Sequence, residues 1–135
     1  MKSKYYKGDP PMKTKNIILI SCCFFSVLFN GCSAKDSPPD NVSDGMYTIG
    51  CKALIIADKY LDAELTTDEA YDELNSMSSQ AHQVQDDDYS DDLSISVSIS
   101  SLSYDLWDMN KSFGSTKTDV DFKEDRDWLA DLLNK

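Results

Sequence analysis

The 135-residue chain predicts an all-α fold: a small bundle of about four helices, after a cleaved signal peptide and a flexible linker. Three observations lead there. Beyond residue 43, apolar residues recur at alternating steps of three and four, which gathers them on single helix faces. Only the segment 93–99 alternates as a strand would, and a lone strand has nothing to pair with. A dense apolar run near the N-terminus stands apart from the polar remainder.

That run sets the boundaries. Lys13 and Lys15 precede Ile17 to Phe29, thirteen residues broken only by Ser21 and Ser26. As a helix it rises about 20 Å, short of the ~30 Å hydrocarbon core of a bilayer. A secretory signal fits better than a permanent span, and the positive flank on its N-terminal side orients the C-terminal remainder of the chain for export. Met1 to Pro11 (MKSKYYKGDPP) is polar and basic, so Met12 is the true start or the first eleven residues are a cytoplasmic extension. Residues 1–31 are read as signal peptide and set aside from the fold.

The run ends at Leu28-Phe29-Asn30-Gly31-Cys32, which resembles the lipobox of bacterial lipoproteins. Gly31 and Cys32 fill the family's small-residue and cysteine places, while Phe29 and Asn30 depart from its usual aliphatic and small residues. The resemblance implies a diacylglyceryl thioether on Cys32, cleavage before it, and a protein held by lipid at the extracytoplasmic face of the cell membrane. Two or more acyl chains anchor stably, since each buried methylene contributes ~0.8 kcal/mol. The plainer readings are an ordinary signal peptide or a short signal anchor.

Trimming changes the charge. Residues 1–31 hold five lysines and one acid, so the remaining 104 residues carry 8 basic against 23 acidic side chains, net −15. Such a surface repels nucleic acid and anionic headgroups, and favours a basic protein if any macromolecule binds. Cys22 and Cys23 leave with the signal and Cys32 takes the lipid, so the trimmed monomer is expected to have no internal disulfide, with Cys51 as a partly buried small hydrophobe.

Residues 32–43 are the lipidated cysteine and a linker, in which Pro38 and Pro39 forbid a helix. The bundle domain is placed at 44–134. A first helix over Asp44–Glu64 gathers Met46, Ile49, Ala53, Ile56, Ala57, Tyr60 and Leu61 on one face, with Lys52, Asp58, Lys59 and Asp62 opposite. Thr66 and Glu69 then have capping-box spacing, and Leu65 with Ala70 suits a hydrophobic staple. The second helix runs to about Val84 on Ala70, Leu74, Met77, Ala81 and Val84, closing an antiparallel hairpin. The segment Ala53 to Met77 (ALIIADKYLDAELTTDEAYDELNSM) looks like one found in small lipoproteins and secreted proteins of Gram-positive gut bacteria; it covers about a quarter of the mature chain and implies no activity.

Gln85 to Asp92 (QDDDYSDD) holds five acids in eight residues but fails as an EF-hand, having no Gly in the turn and no Glu at the twelfth position. It is read as a solvated loop capping the next helix. Ile95, Ile99, Leu102, Leu106, Met109 and Phe113 make a helical stripe, and Leu93, Val97 and Tyr104 a second face, so the third helix is predicted to pack on two sides. Its six serines suit close helix approach better than catalysis. A turn at Gly114 leads to a last helix capped by Thr118 with Asp121, burying Phe122, Leu129, Leu132 and Leu133. Trp107 and Trp128 are expected to anchor the core.

For function, the chain has no nucleophile elbow, no phosphate-cradling glycine loop, and one histidine, His82, read as a surface helix residue. We therefore expect no enzyme, no catalytic residue, no metal, no cofactor and no small-molecule substrate. The expected role is a membrane-anchored, non-catalytic protein-binding module. An immunity- or inhibitor-type protein neutralising a basic toxin or cell-wall hydrolase is the alternative, and a calcium-responsive module a third reading.

Overall fold

The computed structural model describes residues 37–111 and 114–135. Four helices succeed one another: α1 (Asp44–Leu61), α2 (Thr67–Val84), α3 (Asp92–Met109) and α4 (Asp119–Leu132). With no strand among the described residues, the fold is an all-α bundle, as the spacing predicts. Gly31, Cys32 and the other lipobox residues, Leu28, Phe29 and Asn30, lie outside the described residues, as does Phe113 of the α3 stripe.

The helices run up, down, up and down. Between α3 and α2, contacts step in opposite directions along the two chains: Asn110 to Asp68, Ser100 to Ser78 and Ser96 to His82. Arg126 of α4 reaches Asp58 of α1 at 2.7 Å, and Tyr60 donates to Asp119 at 2.8 Å. α1 and α3 each pack against every other helix, whereas α2 and α4 do not meet. The core is one cluster centred on Met46, Leu74, Ile95, Ile99, Leu102, Leu106, Phe122 and Leu129, all fully buried. Tyr60 meets Phe122 edge-on, ring centroids 4.9 Å apart, a favoured aromatic geometry. Gly50 lets α1 approach closely, because a Cβ there would stand 3.0 Å from the Leu133 side chain.

Two helix starts match their sequence signals. Thr66 with Glu69, and Thr118 with Asp121, both form the full reciprocal capping box. α1 begins at Ser43, whose hydroxyl accepts from the Met46 amide at 3.2 Å. The packed domain reaches slightly further back than its predicted start at 44, since Val42 is 2% exposed and its amide bonds the Pro39 carbonyl.

α1 stops at Leu61, three residues before its predicted end, by a Schellman turn: Ala63 N–H bonds the Tyr60 carbonyl and Glu64 N–H the Lys59 carbonyl. That turn holds Ala63 at φ 57°, a region where a Cβ is disfavoured. The equivalent place after α4 is taken by Asn134 at φ 55°, a residue type that visits this region readily.

Three expectations are corrected. Leu93, Val97 and Tyr104 do not form a second packed face of α3; they are exposed. Trp107 and Trp128 are not core anchors but are 45% and 44% exposed, because they fall outside the stripes that α3 and α4 turn inward. Cys51 is fully buried, 3% exposed, where partial burial was expected, and it is disulfide-bonded.

Ala63→Gly should stabilise the domain by about 1 kcal/mol by relieving the left-handed strain. Thermal unfolding should show a Tm rise of roughly 4–8 °C. An unchanged or lowered Tm would mean that Ala63 is not held at positive φ.

Candidate binding surface

α3 carries three acids, Asp92, Asp105 and Asp108, and every one is buried. A carboxylate removed from water needs donors or a cation. Asp92 obtains donors from two chain positions: Ser43, through its N–H at 2.9 Å and Oγ at 2.7 Å, and Asp86, through its N–H at 3.1 Å. The Ser43 hydroxyl that donates to Asp92 also accepts from Met46, so one carboxylate joins the start of α3 to the cap of α1. Asp91 N–H adds a bond to the Asn41 carbonyl. The acidic loop does not cap α3 as expected: the N-cap residue Asp91 makes no side-chain cap, and the Asp92 carboxylate serves Ser43 and Asp86 instead of the first-turn amides of α3.

At the other end, Asp108 gathers the turn leading to α4. It accepts from Lys111 Nζ at 2.8 Å, Thr116 N–H at 2.7 Å, Lys117 N–H at 3.1 Å, and the hydroxyls of Ser115 and Thr116 at 3.2 Å. The Lys111 ammonium first, and the Thr116 amide second, hold its carboxyl far below the ordinary carboxylate range. Asp105, between them, lies 2.9 Å from Lys117 Nζ; neither Asp105 oxygen has a well-aligned hydrogen bond, so the contact is an ion pair. It raises the Lys117 pKa. Burial, followed by the Asp105 charge, pushes neighbouring Asp125 upward.

The buried serines complete this inversion. Ser96, Ser98 and Ser103 are buried, and Ser96 Oγ lies 3.1 Å from His82 Nδ1 while Ser78 and Ser100 hydroxyls meet at 2.8 Å. They line the helix contacts, as small residues at a close approach should. His82 is an exposed α2 residue whose ring serves this contact.

With its acids inside, α3 turns an uncharged face to solvent. Leu93 is 56% exposed, Val97 45%, Tyr104 51% and Trp107 45%, and half-buried Ser100 and Ser101 lie among them. The positions 93, 97, 100, 104 and 107 step by four and three, a stripe about 21 Å long at ~1.5 Å per residue. Tyr104 and Trp107 stack tilted, centroids 5.4 Å apart, and the Lys111 ammonium sits 3.6 Å from the Trp107 ring centre. Beside the stripe, Tyr71, Asn75 and Ser78 of α2 face Ser100, Tyr104 and Trp107 across an open groove of ≈ 380 Å³. The groove holds no acid, histidine or cysteine, so it offers apolar contact and hydroxyls but no carboxylate, imidazole or thiol for acid–base chemistry.

Among the described residues, no three His, Cys, Asp or Glu side chains converge as a metal site. Asp86, Asp87 and Asp88 belong to the acidic loop, where all three are exposed, and Asp88 N–H bonds Asp86 Oδ1 at 3.0 Å in a local turn. Periodicity places Leu93, Val97 and Tyr104 together but assigns them inward, and Trp107 is their unrecognised continuation; the four–three spacing is the signal that links them.

The Asp108 cluster makes stability pH-dependent. A depressed carboxyl pKa contributes stability that is complete above the unfolded value of 3.8 and is lost as pH falls from there towards the folded pKa. Asp125 acts oppositely: its raised pKa stabilises at low pH and that contribution fades as pH rises through the folded value. Asp108→Asn should therefore lower Tm at neutral pH and flatten the acid limb below about pH 4. The limb should persist in part, because Thr118 also lowers Asp121 and Lys123 lowers Asp127. Equal acid slopes in variant and wild type, measured by thermal unfolding across that range, would contradict the assigned role.

No protein-family model matches the chain, and no similar curated protein or solved structure was found.

Proposed function

We propose that this chain is a lipid-anchored, extracytoplasmic, non-catalytic binding module whose contact surface is the outer face of α3. The observation that carries the reading is an apolar, uncharged helix face, with two large aromatic rings, on a domain whose trimmed charge is −15. Contiguous apolar exposure of this kind is a feature of interaction sites, and tyrosine and tryptophan are enriched at the centres of interfaces while acids are depleted there. None of the described helices is long and apolar enough to cross a membrane. The lipobox at Leu28 to Cys32 supports attachment through acyl chains on Cys32.

The reading as an inhibitor of a basic toxin or hydrolase draws on a different surface. Its support is the acid cluster Asp86–Asp88 in the loop before α3, together with the net charge. The two differ in salt response: contact through the α3 face survives added salt, whereas charge complementarity weakens as exposed charges are screened.

The membrane fraction of cells making wild type or Cys32→Ser should be weighed intact. The reading predicts a species without residues 1–31 and heavier by a diacylglyceryl group, lost in Cys32→Ser. A full-length unlipidated mass in both would overturn the anchor.

A further inference from the structure

We infer that the outer face of α3 is a self-association surface, on which a second copy of this chain docks antiparallel about an axis near Ser100. The inference rests on the reading of α3 as the contact face and names its occupant.

The first support is register. The stripe has aliphatic residues in its N-terminal half, Leu93 and Val97, and aromatic ones in its C-terminal half, Tyr104 and Trp107, with the small Ser100 midway. Turned end for end, it matches itself: Leu93 meets the second copy's Trp107, Val97 its Tyr104, and Ser100 its Ser100, where two small side chains let the helices close. A two-fold interface needs this self-complementarity. The groove beside Tyr104 and Trp107 gives the second copy's Leu93 a place to enter.

The second support is charge. Copies with a trimmed charge of −15 repel wherever acids face each other, so the face they share must be free of them. The outer face of α3 meets that condition because Asp92, Asp105 and Asp108 are turned inward. Continuing the same register beyond the helix brings Lys111 opposite residue 89, within the second copy's acidic loop of Asp86, Asp87, Asp88 and Asp91. An antiparallel pair thus sets the cation at one end of each stripe against the acids at the other; a parallel pair would set acid loop on acid loop.

The stripe is short. Two such faces bury less than the ~800 Å² per partner of a standard stable interface, so association is weak unless a shared tether raises the local concentration. Added salt strengthens it by screening the repulsion between the copies, the reverse of its effect on a basic partner.

The test uses the full chain in two differently tagged copies made in one cell, with a short permeant bismaleimide as probe. Val97→Cys in one copy and Tyr104→Cys in the other should cross-link several-fold above the wild-type pair, and above Val97→Cys paired with itself. Leu93→Cys with Trp107→Cys should behave alike, and Val97→Asp placed in both copies should abolish that second cross-link. All four positions are exposed, so these changes leave the core intact. A Val97→Cys self-pair as strong as the mixed pair, no pair above wild type, or cross-linking to a different protein would each overturn the inference. In the last case, loss of that other protein by Val97→Asp would leave the binding-module reading standing. Insensitivity of every contact to Val97→Asp would remove both.

Discussion

The bundle depends on where α3 puts its carboxylates. Asp92 joins two helix beginnings that are 49 residues apart in sequence, through both the amide and the hydroxyl of Ser43. Asp108 gathers the turn into α4, and Asp105 ties the middle of that crossing to Lys117. Each group is fixed in place because an ionised carboxylate inside a protein is tolerated only with its donors or cation present. Such contacts specify geometry more than they add stability: a hydrocarbon core alone would permit α3 to rotate or slide, while three carboxylates with fixed partners admit one orientation.

That orientation has a consequence on the other side of the helix. α3 is enclosed by α1, α2 and α4, and serines fill the close contacts with α2 and α4. With the polar side chains turned inward, Leu93, Val97, Tyr104 and Trp107 are left to face solvent. The uncharged surface and the buried acids are therefore two sides of one helix rotation. The proposed binding role grows out of the fold's own constraint, and the acidic remainder of the domain limits which surfaces two copies can share.

Much of the architecture was legible from local signals. The capping boxes at Thr66 and Thr118 and the inward stripe of α3 all involve residues within a few positions of each other. The serines of α3 also lie at helix contacts, where their size suggested. The features that escaped reading were long-range. Periodicity shows that Leu93, Val97 and Tyr104 share a face, but not whether that face meets a neighbour. Asp92 looks like part of a solvated acidic run until Ser43 is brought beside it. Trp107 and Trp128 carry large apolar area, which argues for burial unless the helix rotation is known. The lipobox lies outside the described residues, so the anchor rests on its sequence resemblance alone.

The inversion of α3 is tested most directly by carboxyl labelling of the native full chain with a carbodiimide and an amine, followed by peptide mass spectrometry. Asp87 and Asp88 of the loop should label rapidly, while Asp92, Asp105 and Asp108 should resist until the protein unfolds. Labelling of the three α3 acids at the rate of the loop acids would contradict the account, because it would place those carboxylates in water.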